Sequence, residues 1–385
     1  MRYRWAVLAA GTAAASAGSA LFIGPSVLAP AIRDEFDASL PQLGVLLASL
    51  WVGTILTLLA WGLLADRLGE RVVLGTGLAV CGVLAGAAGW VGEFWALAAL
   101  LFLASAAGAS VNAASGRAVM QWFALEERGL ALGIRQTAIP LGTGIGAVVL
   151  PSVEQAGGLG AAFSFLGALC IVAALVAAIV IREAPVRDTE LERDTIPWTL
   201  QDRRLWTLSF GSGLYLFGQI PLMSFAVLFL HDVHGLSAAR AGAVLAAFQA
   251  GAVLTRIGAG RLSDRMANRL RPLRWIGLAS AVGLLITALV ADSDLALVVF
   301  VIVVAGAVSM AWNGLSLTAA AELAGRARSG AAIGFQQTTL GLVGVIVPVL
   351  FAIVVERTSY RTGFALAALG PLAGWWLLGS LRERV

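Results

Sequence analysis

Long apolar runs separated by short polar segments dominate the chain. About twelve such runs of roughly 20 residues occur, and a helix of that length crosses the ~30 Å hydrocarbon layer of a membrane. None of them alternates apolar and polar residues with period two, so helices are favoured over a transmembrane β-barrel. The predicted spans are 5–32, 41–64, 72–92, 95–121, 129–153, 160–181, 205–230, 239–262, 273–291, 295–320, 330–355 and 363–381. The pattern therefore predicts an all-α integral membrane protein with twelve transmembrane helices.

The composition excludes an ordinary soluble protein. Hydrophobic residues make up 59% of the chain and charged residues 12%, whereas soluble domains carry about 25% charged residues. Cys81 and Cys170 both lie in apolar runs, so no disulfide framework is expected. His231 and His234 form an HxxH pattern with Asp232 as the one further ligand nearby, which predicts no metal site. No cofactor motif or catalytic constellation occurs, so neither a cofactor nor enzymatic activity is expected.

The basic residues are all arginines, and their distribution predicts the orientation. MRYR precedes a first run that is too long for the apolar region of a signal peptide. If the N-terminus lies in the cytoplasm, twenty arginines flank the spans on that side and four on the other, which is a strong positive-inside bias. The net charge of +4 therefore reflects topology and not nucleic-acid binding. We expect a protein of the bacterial-type inner membrane with both termini in the cytoplasm.

A polar segment at 182–204 divides the chain into two halves that repeat each other. Its mixed charges and prolines are typical of a solvated linker. The pairs 198 residues apart are Ser39/Ser237, Gly44/Gly242, Gly53/Gly251, Gly62/Gly260 and Asp66/Asp264, and those 201 apart are Asn112/Asn313, Gly129/Gly330, Gly133/Gly334, Gln136/Gln337 and Thr137/Thr338. Duplicated halves are typical of transporters. The predicted domains are two pseudo-symmetric six-helix bundles, 1–181 and 205–385, joined by a cytoplasmic linker.

One loop motif resembles a known family. GLLADRLGERVVL (Gly62 to Leu74) is similar to the major facilitator superfamily signature G-x-L-x-D-R-x-G-R/K-R/K, and GRLSDR (Gly260 to Arg265) is a weaker second copy. The matching residues are Gly62, Leu64, Asp66, Arg67, Gly69 and Arg71, while Glu70 stands where a basic residue is usual. The resemblance covers essentially the whole chain. It implies that the two bundles expose a midplane site alternately to each side of the membrane.

The resemblance also implies a gating role for six residues, namely Gly62, Asp66, Arg67, Arg71, Asp264 and Arg265. Gly62 and Gly69 are expected to permit close helix approach, and Asp66 to face arginines and helix N-termini. The alternative is that Asp66 and Arg67 only anchor a loop at the lipid headgroups.

Two further motifs bear on the substrate. WFALEERGLALG (Trp122 to Gly133) resembles a loop of nitrate/nitrite, cyanate and carboxylate-type branches of the superfamily, which favours an anion. The alternative is a generic interfacial loop. Pro140-Leu141-Gly142 does not match the glycine-proline signature typical of drug antiporters. The nitrate branch typically carries buried arginines in spans two and eight. Span two here has no charge, and Arg256 in span eight lies only two turns from Asp264, so nitrate specifically is not favoured.

Arg135 is the residue most indicative of function. It lies about six residues, or roughly 9 Å, into predicted span five, in the phrase GIRQTAIP, where an unpaired charge is costly. One reading is that its side chain extends to the inner headgroups. The other is that it faces the central cavity and pairs with an anionic substrate, for which a guanidinium is well suited. Its repeat counterpart, Gln336, is neutral, so the duplicated scaffold does not require a charge there.

The remaining candidate substrate-binding residues are polar or aromatic groups in predicted spans. Such groups line a cavity or join helices by hydrogen bonds. They are Asn112, Gln136, Tyr215, Gln219, Trp312, Asn313 and Gln337.

Apart from the two gate aspartates, no acidic residue lies clearly within a span, although proton-driven exporters of cations commonly use one. The sequence therefore predicts a secondary transporter that moves a small organic or inorganic anion by proton symport or exchange. The alternative is proton-coupled efflux of amphipathic toxic compounds. A non-transporting sensor on the same fold is disfavoured, because both gate motifs are kept. The expected partners are the anion, protons and the lipid bilayer, and the protein is expected to be a monomer.

Overall fold

The structure is a computed structural model that describes residues 3–123, 131, 134–182, 202–324 and 329–381. Within these ranges the side chains at 66, 117, 119, 120 and 329–331 lie outside the description. The described residues form helices and contain no strand. The helices are α1 (Tyr3–Val27), α2 (Ala29–Phe36), α3 (Leu40–Leu68), α4 (Glu70–Ala88), α5 (Phe94–Trp122), α6 (Ala138–Val180), α7 (Arg203–Gly213), α8 (Leu216–Ser224), α9 (Ala226–His234), α10 (Ala238–Met266), α11 (Leu270–Leu289), α12 (Leu295–Ser309), α13 (Trp312–Ala324), α14 (Ser329–Arg357), α15 (Tyr360–Ala367) and α16 (Leu369–Leu378).

The chain forms two compact units. The first comprises Met1–Thr189 and Ser237–Ala246, and the second comprises Glu190–Leu236 and Ala247–Val385. These bounds place the first residues of α10 in the first unit, whereas the sequence assigned them to the C-terminal bundle. The division into bundles stays a prediction, and most of the expected linker lies outside the described residues.

The predicted spans correspond to helices over most of their described residues, although some run past a helix end, as 72–92 runs past Ala88. Nine helices in the described ranges are long and apolar enough to cross a membrane, or ten if 203–224 and 226–234, bent by 51°, form one broken span. The 43 residues of α6 are enough for two crossings. They are broken at Gly157 (φ −149°) and Gly158 (φ +70°). Only Ala368 separates α15 from α16. These interruptions account for the smaller helix count and fit the predicted all-α membrane fold.

The repeat is visible in how helices begin. Ser39 Oγ accepts a hydrogen bond from the backbone N–H of Gln42 at 3.4 Å, and Gln42 Oε1 accepts from the Ser39 N–H at 2.8 Å. Such a capping box satisfies backbone donors that helix geometry leaves unpaired. Ser237, 198 residues later, accepts from the Arg240 N–H at 3.4 Å in the same way. Equivalent serines therefore begin α3 and α10.

Small residues allow the helices of the first unit to pack closely. A Cβ added at Gly82 of α4 would lie 2.6 Å from the carbonyl oxygen of Gly167 in α6. A Cβ at Gly142 of α6 would overlap the carbonyl oxygen of Ser16 in α1. Glycine at these contacts lets the backbones approach, which is the usual basis of helix association in membranes.

The repeat also preserves an interhelical hydrogen bond. Thr57 Oγ1 in α3 donates to the carbonyl of Ala106 in α5 at 2.7 Å. Thr255 Oγ1 in α10 donates to the carbonyl of Ala307 in α12, also at 2.7 Å. The same pair of helices is thus joined at the same place in each half.

Candidate functional site

Arg135 lies where the chain enters α6. Residues 134–136 are helical, and a turn at Thr137 separates them from α6. The half-buried guanidinium donates from Nε to Ser115 Oγ at 3.0 Å and from Nη1 to Gln136 Oε1 at 3.3 Å. The predicted neighbours Arg135 and Gln136 are therefore in direct contact, with Ser115 of α5 as a partner that the sequence reasoning missed.

The depth of Ser115 indicates where the charge lies. Ser115 precedes the end of α5 at Trp122 by seven residues, which is about 10 Å of helix. The hydrogen bond holds the Arg135 Nε at the level of Ser115, so the Arg135 side chain does not extend toward the end of α5. This geometry disfavours the reading in which Arg135 reaches the headgroups.

The partners of Arg135 are neutral. Among the described residues, no carboxylate forms an ion pair with it, and its two side-chain hydrogen bonds go to a hydroxyl and an amide. A hydroxyl and an amide orient a guanidinium without cancelling its charge. The positive charge at this point is therefore available to an anion.

The second half repeats this arrangement without the charge. Gln336 is buried, and its Nε2 donates to Ser316 Oγ, which in turn donates to Ser212 Oγ at 2.6 Å. Ser115 and Ser316 are 201 residues apart, as are Arg135 and Gln336. The repeat thus keeps the serine contact and replaces the charged partner with an amide. This offset was a signal in the sequence that could have identified both serines.

Four predicted residues come together in the second unit. Asn313 Nδ2 donates to Gln219 Oε1 at 3.1 Å, and the rings of Tyr215 and Trp312 lie 5.9 Å apart. The Tyr215 hydroxyl donates to the carbonyl of Leu273 at 3.2 Å. Tyr215, Gln219 and Trp312 are buried, and Asn313 is half-buried. Asn313 is therefore the most accessible of the four.

Two predicted residues stand apart from these groups. Asn112 and Gln337 are exposed, and neither makes a side-chain hydrogen bond within the described ranges. Asn112 is nine residues from Leu103, which is 47% exposed, so the two lie on opposite sides of α5, about 180° apart. Gln337 follows the buried Gln336 and points to a different side of α14. Their roles stay predictions.

On α10 the sequence reasoning noticed Arg256 without selecting it, and it missed Gln249. Arg256 Nε donates to the carbonyl of Met310 at 2.9 Å, at the turn between α12 and α13. Gln249 is buried seven residues earlier on the same helix. The sequence could have indicated that Gln249 and Arg256 lie on one face of the helix, because residues seven apart, about two helical turns, share a face.

The predicted gate residues are described in part. Asp264 Oδ1 accepts from Arg269 Nη1 at 2.5 Å, and Arg269 Nε donates to Glu322 Oε1 at 3.1 Å. Partial burial lowers the pKa of Arg269, but the hydrogen bonds and charges of both carboxylates outweigh it, and the pKa is raised. The sequence reasoning did not select Arg269 or Glu322 as partners of Asp264. Three other gate arginines are exposed, namely Arg67, Arg71 and Arg265.

The two glycines of the loop motif, Gly62 and Gly69, lie in different surroundings. A Cβ at Gly62 would have no atom of the described residues within 4 Å, so this structure gives no support to close helix approach there, and the gating role of Gly62 stays a prediction. Gly69 instead adopts φ +83° between α3 and α4, a conformation that favours glycine. The side chain of Asp66 lies outside the described residues.

The HxxH segment provides no metal centre in the described ranges. His231 Nδ1 lies 3.3 Å from Asp232 Oδ1, and His234 Nε2 contacts the carbonyl of Ala291 at 2.8 Å. No group of three metal-ligating side chains occurs among the described residues.

Comparisons with known proteins agree with this architecture. The sequence model of the Major Facilitator Superfamily matches residues 8–348 and 208–384. An uncharacterised MFS-type transporter of Mycobacterium tuberculosis is 34% identical over 96% of this chain and 83% of its own length. A probable sulfoacetate transporter of Cupriavidus necator is 26% identical over 92% of this chain and 88% of its own length.

A solved structure gives the same fold. A bacterial homologue of the human lysosomal transporter Spinster, in an inward-facing and occupied conformation, superposes with a TM-score of 0.79 at 18% identity, covering 98% of this chain and 95% of that one. The fold, the repeat and the sequence match agree. The chain therefore belongs to the major facilitator superfamily, as a membrane transporter and not an enzyme.

Proposed function

We propose that this protein transports a small anion by alternating access, with Arg135 as the electrostatic partner of the anion. The observation that carries the proposal is the guanidinium near Ser115, which is bound by neutral groups and by no carboxylate in the described part of the chain. A charge embedded in a membrane protein is costly unless something compensates it. A transported anion would supply that compensation.

The relatives support an anion without specifying it. The similar protein of Cupriavidus necator is named a probable sulfoacetate transporter. Carboxylates and sulfonates present oxygen pairs that match the planar fork of a guanidinium. We infer coupling to protons, by symport or exchange, and a monomeric protein in the inner membrane with both termini in the cytoplasm.

The test is binding to purified protein, because the substrate is unidentified. Thermal unfolding is followed with a panel of small carboxylates, sulfonates and phosphates, and with neutral and cationic amphiphiles. We expect at least one class of anion to raise the Tm, since a ligand that binds only the folded protein stabilises it. Stabilisation by neutral or cationic compounds alone would favour the efflux alternative.

Variants then assign the effect to Arg135. Removing the charged partner of a bound ion costs about 2–5 kcal/mol, so Arg135→Gln should weaken anion binding roughly thirtyfold or more. Arg135→Lys should retain part of the response, because the charge remains. Arg361→Gln is the matched control, since Arg361 is exposed and lies 4.0 Å from Asp292. Full anion stabilisation in Arg135→Gln would contradict the proposal.

A further inference from the structure

Two arginines lie at the start of α11, where a membrane span begins. α11 begins at Leu270, and Arg271 and Arg274 lie in its first five residues. Side chains three residues apart on a helix are neighbours, with Cβ atoms about 5–6 Å apart. Arg271 is exposed and Arg274 is half-buried. Because the 20 residues of α11 are just enough to cross the hydrocarbon layer, both guanidinium groups lie at the depth of the lipid headgroups.

Tryptophan side chains fix the positions of these two guanidinium groups. Arg271 Cζ lies 5.7 Å from the centre of the Trp275 ring. Arg274 Cζ lies 5.4 Å from the centre of the Trp375 ring in α16, and Arg274 Nε donates to the Trp375 carbonyl at 3.4 Å. A Cβ added at Gly379 would lie 3.0 Å from Arg274 Nη2, so this guanidinium reaches the end of α16. Tryptophan is enriched at the membrane–water interface, which agrees with a headgroup depth.

The charges of Arg271 and Arg274 are not neutralised within the described part of the chain. Arg269, just before α11, provides the contrast, because it pairs with both Asp264 and Glu322. The described side-chain contacts of Arg271 and Arg274 are with aromatic rings and a backbone carbonyl, which carry no net charge. The first turn of α11 holds no acidic residue, and its helix dipole adds positive charge there. This end of the unit therefore attracts anions at headgroup depth.

Exposed apolar side chains lead away from the two arginines on both helices. α11 packs against α16. Spacings of three and four residues mark one face of a helix, and on α11 they connect Trp275, Leu278, Val282, Leu285 and Leu289. On α16 they connect Leu369, Leu372 and Trp376. Each stripe therefore begins beside a tryptophan that contacts an arginine, or next to one in sequence, and continues into the hydrocarbon layer.

We propose that this end of the second unit binds one anionic phospholipid, with its phosphate between Arg271 and Arg274. Guanidinium groups are well suited to donate to phosphate oxygens, and one acyl chain lies along the exposed stripe of each helix. A soluble anion would gain only the charge contacts, whereas a phospholipid also covers the two apolar stripes. These residues are not among those proposed to contact the transported anion, so lipid binding and transport can fail independently.

Lipid binding is measured on the purified full-length protein in a neutral detergent. Phosphatidylglycerol and phosphatidylcholine with the same acyl chains are titrated, bound lipid is counted by native mass spectrometry, and thermal unfolding is followed. The two lipids share a phosphate and differ in net charge. We expect phosphatidylglycerol to bind more tightly and to raise the Tm further, because a ligand of the folded protein stabilises it. Added salt should reduce this preference, because it screens the charge of the exposed Arg271.

Substitutions assign the preference to the two arginines. One arginine near an anionic lipid accounts for roughly a fivefold change in affinity, so Arg271→Gln should weaken phosphatidylglycerol binding about fivefold, and the double variant with Arg274→Gln about thirtyfold. Arg271→Lys should retain most of the affinity, because the charge remains. Arg203→Gln is the matched control and should keep the parental affinity, since Arg203 is an exposed arginine at the start of α7 in the same unit.

Three outcomes would overturn the site. They are equal binding of both lipids by the parent, equal losses in Arg271→Gln and Arg203→Gln, and stabilisation by sodium glycerol phosphate that Arg271→Gln removes, since that compound has the phosphate but no acyl chain. If the double variant does not fold, the exposed position of Arg271 allows Arg271→Gln alone to give the answer. Absence of any rise in Tm with soluble anions would contradict the proposed transport and leave the lipid site intact.

Discussion

At the scale of the residue, an equivalent serine accepts a side-chain hydrogen bond in both halves, from a charged group in the first and from a neutral group in the second. Ser115 contacts a guanidinium, and Ser316 contacts the amide of Gln336. In the proposed function, the first contact holds the charge in place for the anion, because a serine hydroxyl accepts from Nε and leaves the charge uncancelled. The second belongs to a buried chain that continues to Ser212. We therefore assign the first contact to the proposed anion binding and the second to packing.

This difference predicts that the two serine substitutions affect different properties, namely anion binding for Ser115 and thermal stability for Ser316. Ser115→Ala should weaken anion binding about tenfold, because a hydrogen bond to a charged group contributes roughly 1.5–3 kcal/mol. Ser316→Ala should leave the anion response unchanged and lower the Tm, because it leaves Gln336 Nε2 unpaired in the interior. Anion titrations followed by thermal unfolding measure both quantities. Equal loss of anion response in the two variants would contradict the assignment.

The sequence located Arg135 but not its surroundings. The length of the apolar run shows how far Arg135 lies within its span, and the repeat offset of 201 shows that its counterpart, Gln336, is uncharged. Both facts follow from the sequence alone. Ser115 was not selected, because its contact depends on which sides of two helices meet. Arg256 was noticed near Asp264 and set aside, since only its bond to Met310 shows that it stays deep in the bundle.

At the scale of the element, interruptions of long helices are the feature that the sequence predicts least well. The sequence placed a boundary between 153 and 160, and the structure breaks α6 at Gly157 and Gly158. The turn between α12 and α13 has no proline or glycine to mark it. Helix length follows from the apolar pattern, whereas such breaks follow from contacts with neighbouring helices.

The break in α6 makes a specific prediction for Gly158. Its φ of +70° and ψ of −172° lie in a region that is essentially restricted to glycine, at a cost of about 1–3 kcal/mol for other residues. Gly158→Ala should therefore lower the Tm even though a Cβ there meets no atom within 4 Å. Gly144→Ala is the matched control.

Gly144 lies in the same helix, and a Cβ there is equally unobstructed. Its φ is not in the positive region, so alanine fits without strain. Thermal unfolding of both variants under identical conditions compares them. Equal Tm values would show that the break at Gly158 does not require glycine.

At the scale of the whole molecule, a symmetric scaffold carries an asymmetric distribution of charge. The serine caps and the threonine contacts recur in both halves. The two arginines embedded in spans, Arg135 and Arg256, each have an uncharged counterpart, Gln336 and Leu58. Duplication therefore explains the fold, and we propose that the departures from the repeat are where selectivity arose.

The arginines at the ends of the spans predict the orientation of the molecule, which cysteine accessibility can test. Ser293 lies between α11 and α12, Ser380 follows α16, and both are exposed. The positive-inside bias places Ser380 in the cytoplasm and Ser293 outside. Serine-to-cysteine substitution adds little volume, and the native Cys81 and Cys170 are buried, so each variant reports one site.

In intact cells, a membrane-impermeant anionic thiol reagent should modify Ser293→Cys and spare Ser380→Cys. After permeabilisation it should modify both, which shows that the second thiol is reactive. The reverse pattern would place both termini outside. It would also contradict the assignment of twenty arginines to the cytoplasmic side, because Ser380 and the arginines that follow it lie on the same side of the last span. Arg135, which enters its span from that side, would then lie near the outer face of the membrane, and anions would first meet it from outside the cell.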